Sequence, residues 1–89
     1  NITFFIFSDD IIWTEENLIL QNAVYVTHKC LPHEDLYLMS LCAHNITANS
    51  SFSWWGAWLN KNNNKTIIAP KQWFVTKENE IACENWIKI

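Results

Sequence analysis

Four short apolar runs alternate with amphipathic stretches along this chain. The first, Ile2-Thr3-Phe4-Phe5-Ile6-Phe7, is β-branched and aromatic without polar alternation. That is the pattern of a strand covered on both faces, as in a parallel sheet. It ends at Ser8-Asp9-Asp10, three good helix-start residues. Residues 11–20 follow as an amphipathic helix, with Ile11 and Leu18, and Ile12 and Ile19, set around a polar stretch at 14–17. A second apolar run at 23–27 predicts the next strand, and residues 28–33, which contain a proline, read as a loop. Over 34–43 the residues Leu36, Met39 and Ala43 keep one helical spacing while Leu38, Leu41 and Cys42 keep another. A helix with two such stripes should be covered on most of its girth. Glu34 and Asp35 fall in its first turn, where negative charge suits the helix dipole.

The run Asn45-Ile46-Thr47-Ala48 is a third strand candidate and leads directly into Asn49-Ser50-Ser51, where a helix should start. Phe52, Trp55 and Trp58 or Leu59 recur at intervals of three and four, giving that helix an aromatic stripe that ends at the polar segment 60–65. Residues 66–69 form a fourth strand candidate closed by Pro70, and the remainder reads as a tail pinned by Trp73, Phe74 and Trp86. Alternation of this kind predicts an α/β fold with a four-stranded parallel sheet and right-handed crossovers. The chain opens inside a strand, and a sheet of this size leaves an edge and apolar helix faces uncovered. The expectation is a segment of a larger protein.

Composition narrows the picture. Eighty-nine residues with one glycine and two prolines amount to one domain or less, and 49% apolar residues with six tryptophans supply a core. Intrinsic disorder is excluded on that basis. Six lysines against nine acids, with no arginine and a net charge of −3, provide no basic face for a run of phosphates. Nucleic acid is not an expected partner. Cys30, Cys42 and Cys83 keep no C-x-x-C spacing and read as free, mostly buried thiols rather than a disulfide framework or a zinc site. No stretch is long and apolar enough for a membrane span, and no signal-peptide pattern opens the chain. Sequons at Asn1, Asn45, Asn49 and Asn64 are read as chance triplets in an Asn-rich sequence, since Asn45 and Asn49 fall on an expected buried strand and its exit.

Ligands of an open parallel sheet bind beyond the carboxyl ends of its strands, so three loops carry the candidate chemistry. Asp9 and Asp10 stand at the end of the first strand, either capping a helix or facing a ligand. Asp35 heads the second helix, as a dipole-complementing surface charge or as a ligand contact. Asn49-Ser50-Ser51-Phe52-Ser53 gathers hydroxyls and free N–H groups at a helix start, which suits an anion such as phosphate as well as an ordinary serine cap. Glycine-rich phosphate loops are ruled out by a single glycine, Gly56. Trp54, Trp55, Trp58 and Trp73 suit core packing, with a sugar-stacking platform as the alternative. Histidines 28, 33 and 44 keep no ligand spacing, and His44 reads as a hydrogen-bonded structural residue before it reads as a base.

The strings DLYLMSLCAHNITANSSFSWWGAWL (35–59), FFIFSDDIIW (4–13) and IIAPKQWF (67–74) resemble the C-terminal part of the bacterial and animal α-1,2-fucosyltransferases, glycosyltransferase family 11. The resemblance covers nearly the whole chain, and ANSSFSWWGAWL is its most specific stretch. It implies a GT-B enzyme of two Rossmann-like domains. Residues 1–89 would then be part of the C-terminal domain that holds GDP-fucose, with no metal or cofactor required. Related fucosyltransferases share an aspartate 16 residues before a serine of a Ser-Ser motif, and here that spacing falls on Asp35 and Ser51.

By that resemblance Asp35 accepts hydrogen bonds from guanine N1–H and the 2-amino group, which adenine cannot offer. Ser50, Ser51, Phe52 and Ser53 hold the pyrophosphate, and Asp9 and Asp10 orient the donor or the phosphate-binding arginine. The implied reaction is inverting transfer of L-fucose from GDP-β-L-fucose to a galactose 2-hydroxyl on a glycan acceptor. The family's H-x-R-R-x-D motif does not occur here, so the catalytic residues and the N-terminal domain are expected outside these 89 residues, which alone should be inactive. The expected setting is the bacterial cytoplasm or the periphery of the inner membrane, or the Golgi lumen in a eukaryote. A non-catalytic, tryptophan-rich carbohydrate-binding module is the alternative function.

Overall fold

The computed structural model describes residues 2–26, 31–72, 83 and 85–89. The chain divides into two compact units, Asn1–Cys30 and Leu31–Ile89.

In the first unit β1 (Phe4–Ile6), α1 (Ile11–Asn17) and β2 (Ala23–Tyr25) form a β-α-β crossover, with Phe4 opposite Ala23 and Ile6 opposite Tyr25 in a parallel pair. Asp10 caps α1 by accepting from Trp13 N at 3.1 Å. The helix ends at Asn17, short of the expected residue 20, because Leu18 leaves helical geometry at ψ 87° while its N–H still reaches Thr14 O. Tyr25 Oη donates to Leu18 O at 2.5 Å and ties that end to β2. Asn22 turns the chain into β2 at φ 61°, a left-handed conformation that asparagine tolerates. Two expectations are corrected. Thr14, placed in the polar stretch, is buried, its hydroxyl donating back to Asp10 O at 2.8 Å. Phe5 and Val24, paired across the ladder, are both exposed, so the described residues of this unit leave one face of the pair uncovered.

The second unit runs α2 (Pro32–Leu41), β3 (Asn45–Ile46), α3 (Ser51–Trp58), β4 (Ile67–Ala69) and β5 (Ile87–Lys88). Its three strands lie in the order β3-β4-β5, all parallel. The α/β class with parallel strands therefore holds, but among the described residues the strands pair as two sheets, of two and three strands, and not as the expected single sheet of four. Part of the expected tail is in fact β5, and Trp86 beside it is buried with Ala57, Ile67 and Ala69 in the core. Trp73 and Phe74, the other expected anchors, lie outside the described residues.

Helix α2 begins two residues early because Pro32 takes its first position, where a missing N–H costs nothing and φ is preset for the helix. Leu31 has no side-chain acceptor, so only the return half of a capping box forms, Leu31 N donating to Glu34 Oε1 at 2.9 Å. The two apolar stripes of α2 are not both covered. Leu36 and Met39 are half-buried, while Leu38 and Leu41 are exposed, since among the described residues α3 is the one helix packed on this one in the unit.

Asn60, only 2% exposed, binds the ends of these elements together. Its Nδ2 donates to Cys42 O and to Asn45 Oδ1, each at 2.7 Å, and its Oδ1 accepts from Asn62 N at 2.9 Å. Lys65 Nζ donates to its carbonyl. Asn45 Nδ2 in turn donates to Met39 O at 2.9 Å. These bonds bring the carboxyl ends of α2 and α3 to the start of β3, so both helices run the same way, opposite to the strand. Their amino ends therefore lie together, toward the carboxyl end of β3. Among the described residues no helix is long and apolar enough to cross a membrane.

Candidate functional site

The parallel course of α2 and α3 decides which side chains meet. Met39 abuts Gly56, and Cys42 is tied to Asn60, 18 residues on. Carried one turn back, this register sets Asp35 level with Phe52 and Ser53 in the first turn of α3. Sequence positions 35 and 50–53 thus gather at one end of the helix pair, above the carboxyl end of β3. Asp35 is half-buried, and its Oδ1 is fully shielded yet accepts no hydrogen bond from the described residues. An acceptor in that condition is costly unless a donor reaches it.

The serine turn carries two kinds of hydroxyl. Ser50 is the cap, accepting from Ser53 N at 3.2 Å, and the two hydroxyl oxygens lie 2.7 Å apart. Ser53 Oγ is also within reach of Ala48 O at 3.2 Å and Ser50 O at 3.1 Å. Ser53 N–H to Ser50 Oγ, Ser50 O–H to Ser53 Oγ and Ser53 O–H to Ala48 O make one consistent relay that uses both hydroxyl protons. Ser51 and Phe52 stand exposed outside this relay. Their N–H groups are the first two of the helix, positions with no intrahelical acceptor.

The remaining candidates sit in other surroundings. Asp10 is occupied as the α1 cap, and Asp9 is exposed in the other unit. His44 accepts from Thr66 N through Nδ1 at 2.8 Å, which leaves its proton on Nε2 and makes it a structural link between the two strand entrances. Trp54 is half-buried against the core, stacked on Trp58 and tilted on Trp86. Trp55 and Trp58 are about half exposed but meet edge to face at 75°, so they present no single flat platform to a sugar ring. Cys42 and Cys83 are free and half-buried, and burial pushes the Cys42 thiol above its ordinary value. Cys30 and His28 lie outside the described residues. Two buried polar residues, Asn60 and Thr47, were not among the sequence candidates. Thr47 is 8% exposed, and its Oγ1 is buried without a hydrogen-bond partner. Its alternation with Asn45 along β3 was the available signal.

Comparison with known proteins places the chain in a family. The family model described as glycosyl transferase family 11 matches residues 1–89. The chain is 39% identical over 88 residues to the O-antigen biosynthesis glycosyltransferase WbnK of Escherichia coli, covering 94% of this chain and 29% of that protein. It is 40% identical over 96 residues to an alpha-1,2-colitosyltransferase of Escherichia coli, covering 100% of this chain and 33% of that protein. The chain thus spans about a third of the length of these relatives. No solved structure matches it. With a family match along its whole length and two similar glycosyltransferases, the chain belongs to glycosyl transferase family 11.

Proposed function

We propose that this chain supplies the nucleotide-binding part of a GT-B α-1,2-fucosyltransferase, within its C-terminal Rossmann-like domain. The donor is GDP-β-L-fucose, and the acceptor is a galactose 2-hydroxyl of a glycan. The observation that carries the reading is Asp35 Oδ1, a shielded acceptor without a donor, level with the exposed start of α3. A carboxylate accepts from guanine N1–H and the 2-amino group together, whereas adenine turns an acceptor toward it. One turn away, the N–H groups of Ser51 and Phe52 and the positive end of the α3 dipole suit a diphosphate.

In an inverting transfer the galactose O2 attacks fucose C1 as the bond to the β-phosphate oxygen breaks, and GDP departs with the bonding pair. The acceptor proton passes to a base, which this reading places outside these residues together with the phosphate-binding arginine. What the chain contributes is stabilisation of the leaving diphosphate, by donors aimed at the charge that develops there. One similar protein is named an alpha-1,2-colitosyltransferase, and the reading assigns to this chain only the nucleotide end of the donor, not the choice of sugar.

Calorimetry on the full-length protein tests the assignment. Wild type should bind GDP and reject ADP, and Asp35→Asn should lower GDP affinity roughly 10- to 100-fold, the range of a charge-assisted hydrogen bond. The melting temperature of that variant should change little, because Oδ1 has no native partner to lose and only one first-turn charge on the α2 dipole is removed. Equal binding of GDP and ADP by wild type, or binding of galactose-terminated glycans with no response to GDP, overturns the reading.

A further inference from the structure

Asp35 Oδ1 and Thr47 Oγ1 are the two buried side-chain polar atoms without a hydrogen-bond partner among the described residues. They are far apart in sequence, yet the fold brings them to one level. Asn45 points its side chain at Met39 O and Asn60 Nδ2, toward the helices, and Thr47, two residues on, points to the same side. From Asn45 to Thr47 the strand advances about 6.6 Å toward its carboxyl end. From Met39 to Asp35 helix α2 retreats about 6 Å in that same direction. Thr47 N still donates to Ile68 O at 2.8 Å, so the ladder holds the residue in strand geometry and fixes where its side chain goes.

We infer that Thr47 is a second specificity residue for the nucleotide base, its hydroxyl donating to the 6-oxo group of guanine while Asp35 takes the N–H groups beside it. The inference rests on the nucleotide reading above. Its chemistry follows from the guanine edge, which presents one acceptor, O6, next to two donors, N1–H and the 2-amino group. A carboxylate is acceptor-only and satisfies the donors, leaving O6 in need of a donor. Thr47 carries a hydroxyl proton that no described residue accepts, at the level where that donor is required. Because Thr47 is 8% exposed, a base that left its hydroxyl unpaired would be disfavoured, so the residue discriminates as well as binds.

The test compares GDP with 6-thio-GDP, which keeps both donors but replaces O6 by a weaker sulfur acceptor, on the full-length protein by calorimetry. Wild type should prefer GDP by about 5- to 10-fold, the span of one neutral hydrogen bond. Thr47→Val, of nearly the same shape, should bind both nucleotides alike at the weaker level, and Thr47→Ser should restore the preference. An unchanged preference in Thr47→Val overturns the inference, and Asp35→Asn then tells whether the nucleotide reading stands without it. Equal loss for both nucleotides in Thr47→Val, with the preference kept, makes the hydroxyl a support of the fold and likewise overturns it. Failure of wild type to bind either nucleotide removes the underlying reading and this inference with it.

Discussion

Gly56 lies so close to Met39 that a methyl group at position 56 would sit 2.9 Å from both Met39 Cβ and Met39 Sδ. The sulfur ends a flexible side chain and can swing away, but Cβ is fixed to the α2 backbone. Helices α2 and α3 therefore meet at a point that only glycine permits.

Replacing this glycine sets two effects against each other. Gly56→Ala gains about 1 kcal/mol of helix propensity. Overpacking against a fixed Cβ costs about 1–3 kcal/mol. The second should win, with a net loss of up to about 2 kcal/mol in urea unfolding. Since the displaced helices carry Asp35 and the serine turn, GDP affinity should fall as well. A variant more stable than wild type would mean that the two helices are not in this contact.

Asn60 makes a sharper prediction, because its donors and acceptor are used separately. Asn60→Ala leaves Cys42 O, Asn45 Oδ1 and Asn62 N without their partner and should cost about 3 kcal/mol or more, given about 1–3 kcal/mol for each of the three groups left unpaired. Asn60→Asp keeps the acceptor for Asn62 N but sets a carboxylate against Asn45 Oδ1 and the Cys42 carbonyl. It should be the worse of the two at neutral pH. Denaturant melts of both variants decide it, and a milder effect of Asp than of Ala would show that donation through Nδ2 is not what holds the helix ends.

These residues show where local sequence physics reaches and where it stops. The start of α3 was legible, since Asn49-Ser50-Ser51 before an aromatic stripe is a local signal that the Ser50 cap answers directly. The α/β alternation was legible for the same reason. Asn60 was not, because an asparagine followed by lysine and three more asparagines reads as a solvated loop, and its burial depends on three partners 15 to 18 residues away or across a turn. The start of α2 was misplaced because proline signals both a loop and a first helical turn, and only the tertiary setting separates them. Strand β5 escaped because two residues carry no periodicity, and their pairing with Ile68 and Ala69 is long-range. For the candidate site, the residues were legible as chemistry, while their convergence depended on the direction of two helices.

The serine turn separates structure from binding within two adjacent residues. Ser50 accepts from Ser53 N as the α3 cap, so Ser50→Ala should lower stability by about 0.5–2 kcal/mol. Ser51 is exposed and outside the cap relay, so Ser51→Ala should leave stability within about 0.5 kcal/mol of wild type. On the nucleotide reading the order reverses for ligand. Ser51→Ala should weaken GDP several-fold while leaving guanosine unaffected, because the lost hydroxyl would serve the diphosphate and not the base. Ser50→Ala should weaken both nucleotide and nucleoside only as far as the helix start frays. Melting curves and calorimetry with GDP and guanosine on the two variants give six numbers, and an equal stability loss at both positions would assign Ser51 to the cap instead of the ligand.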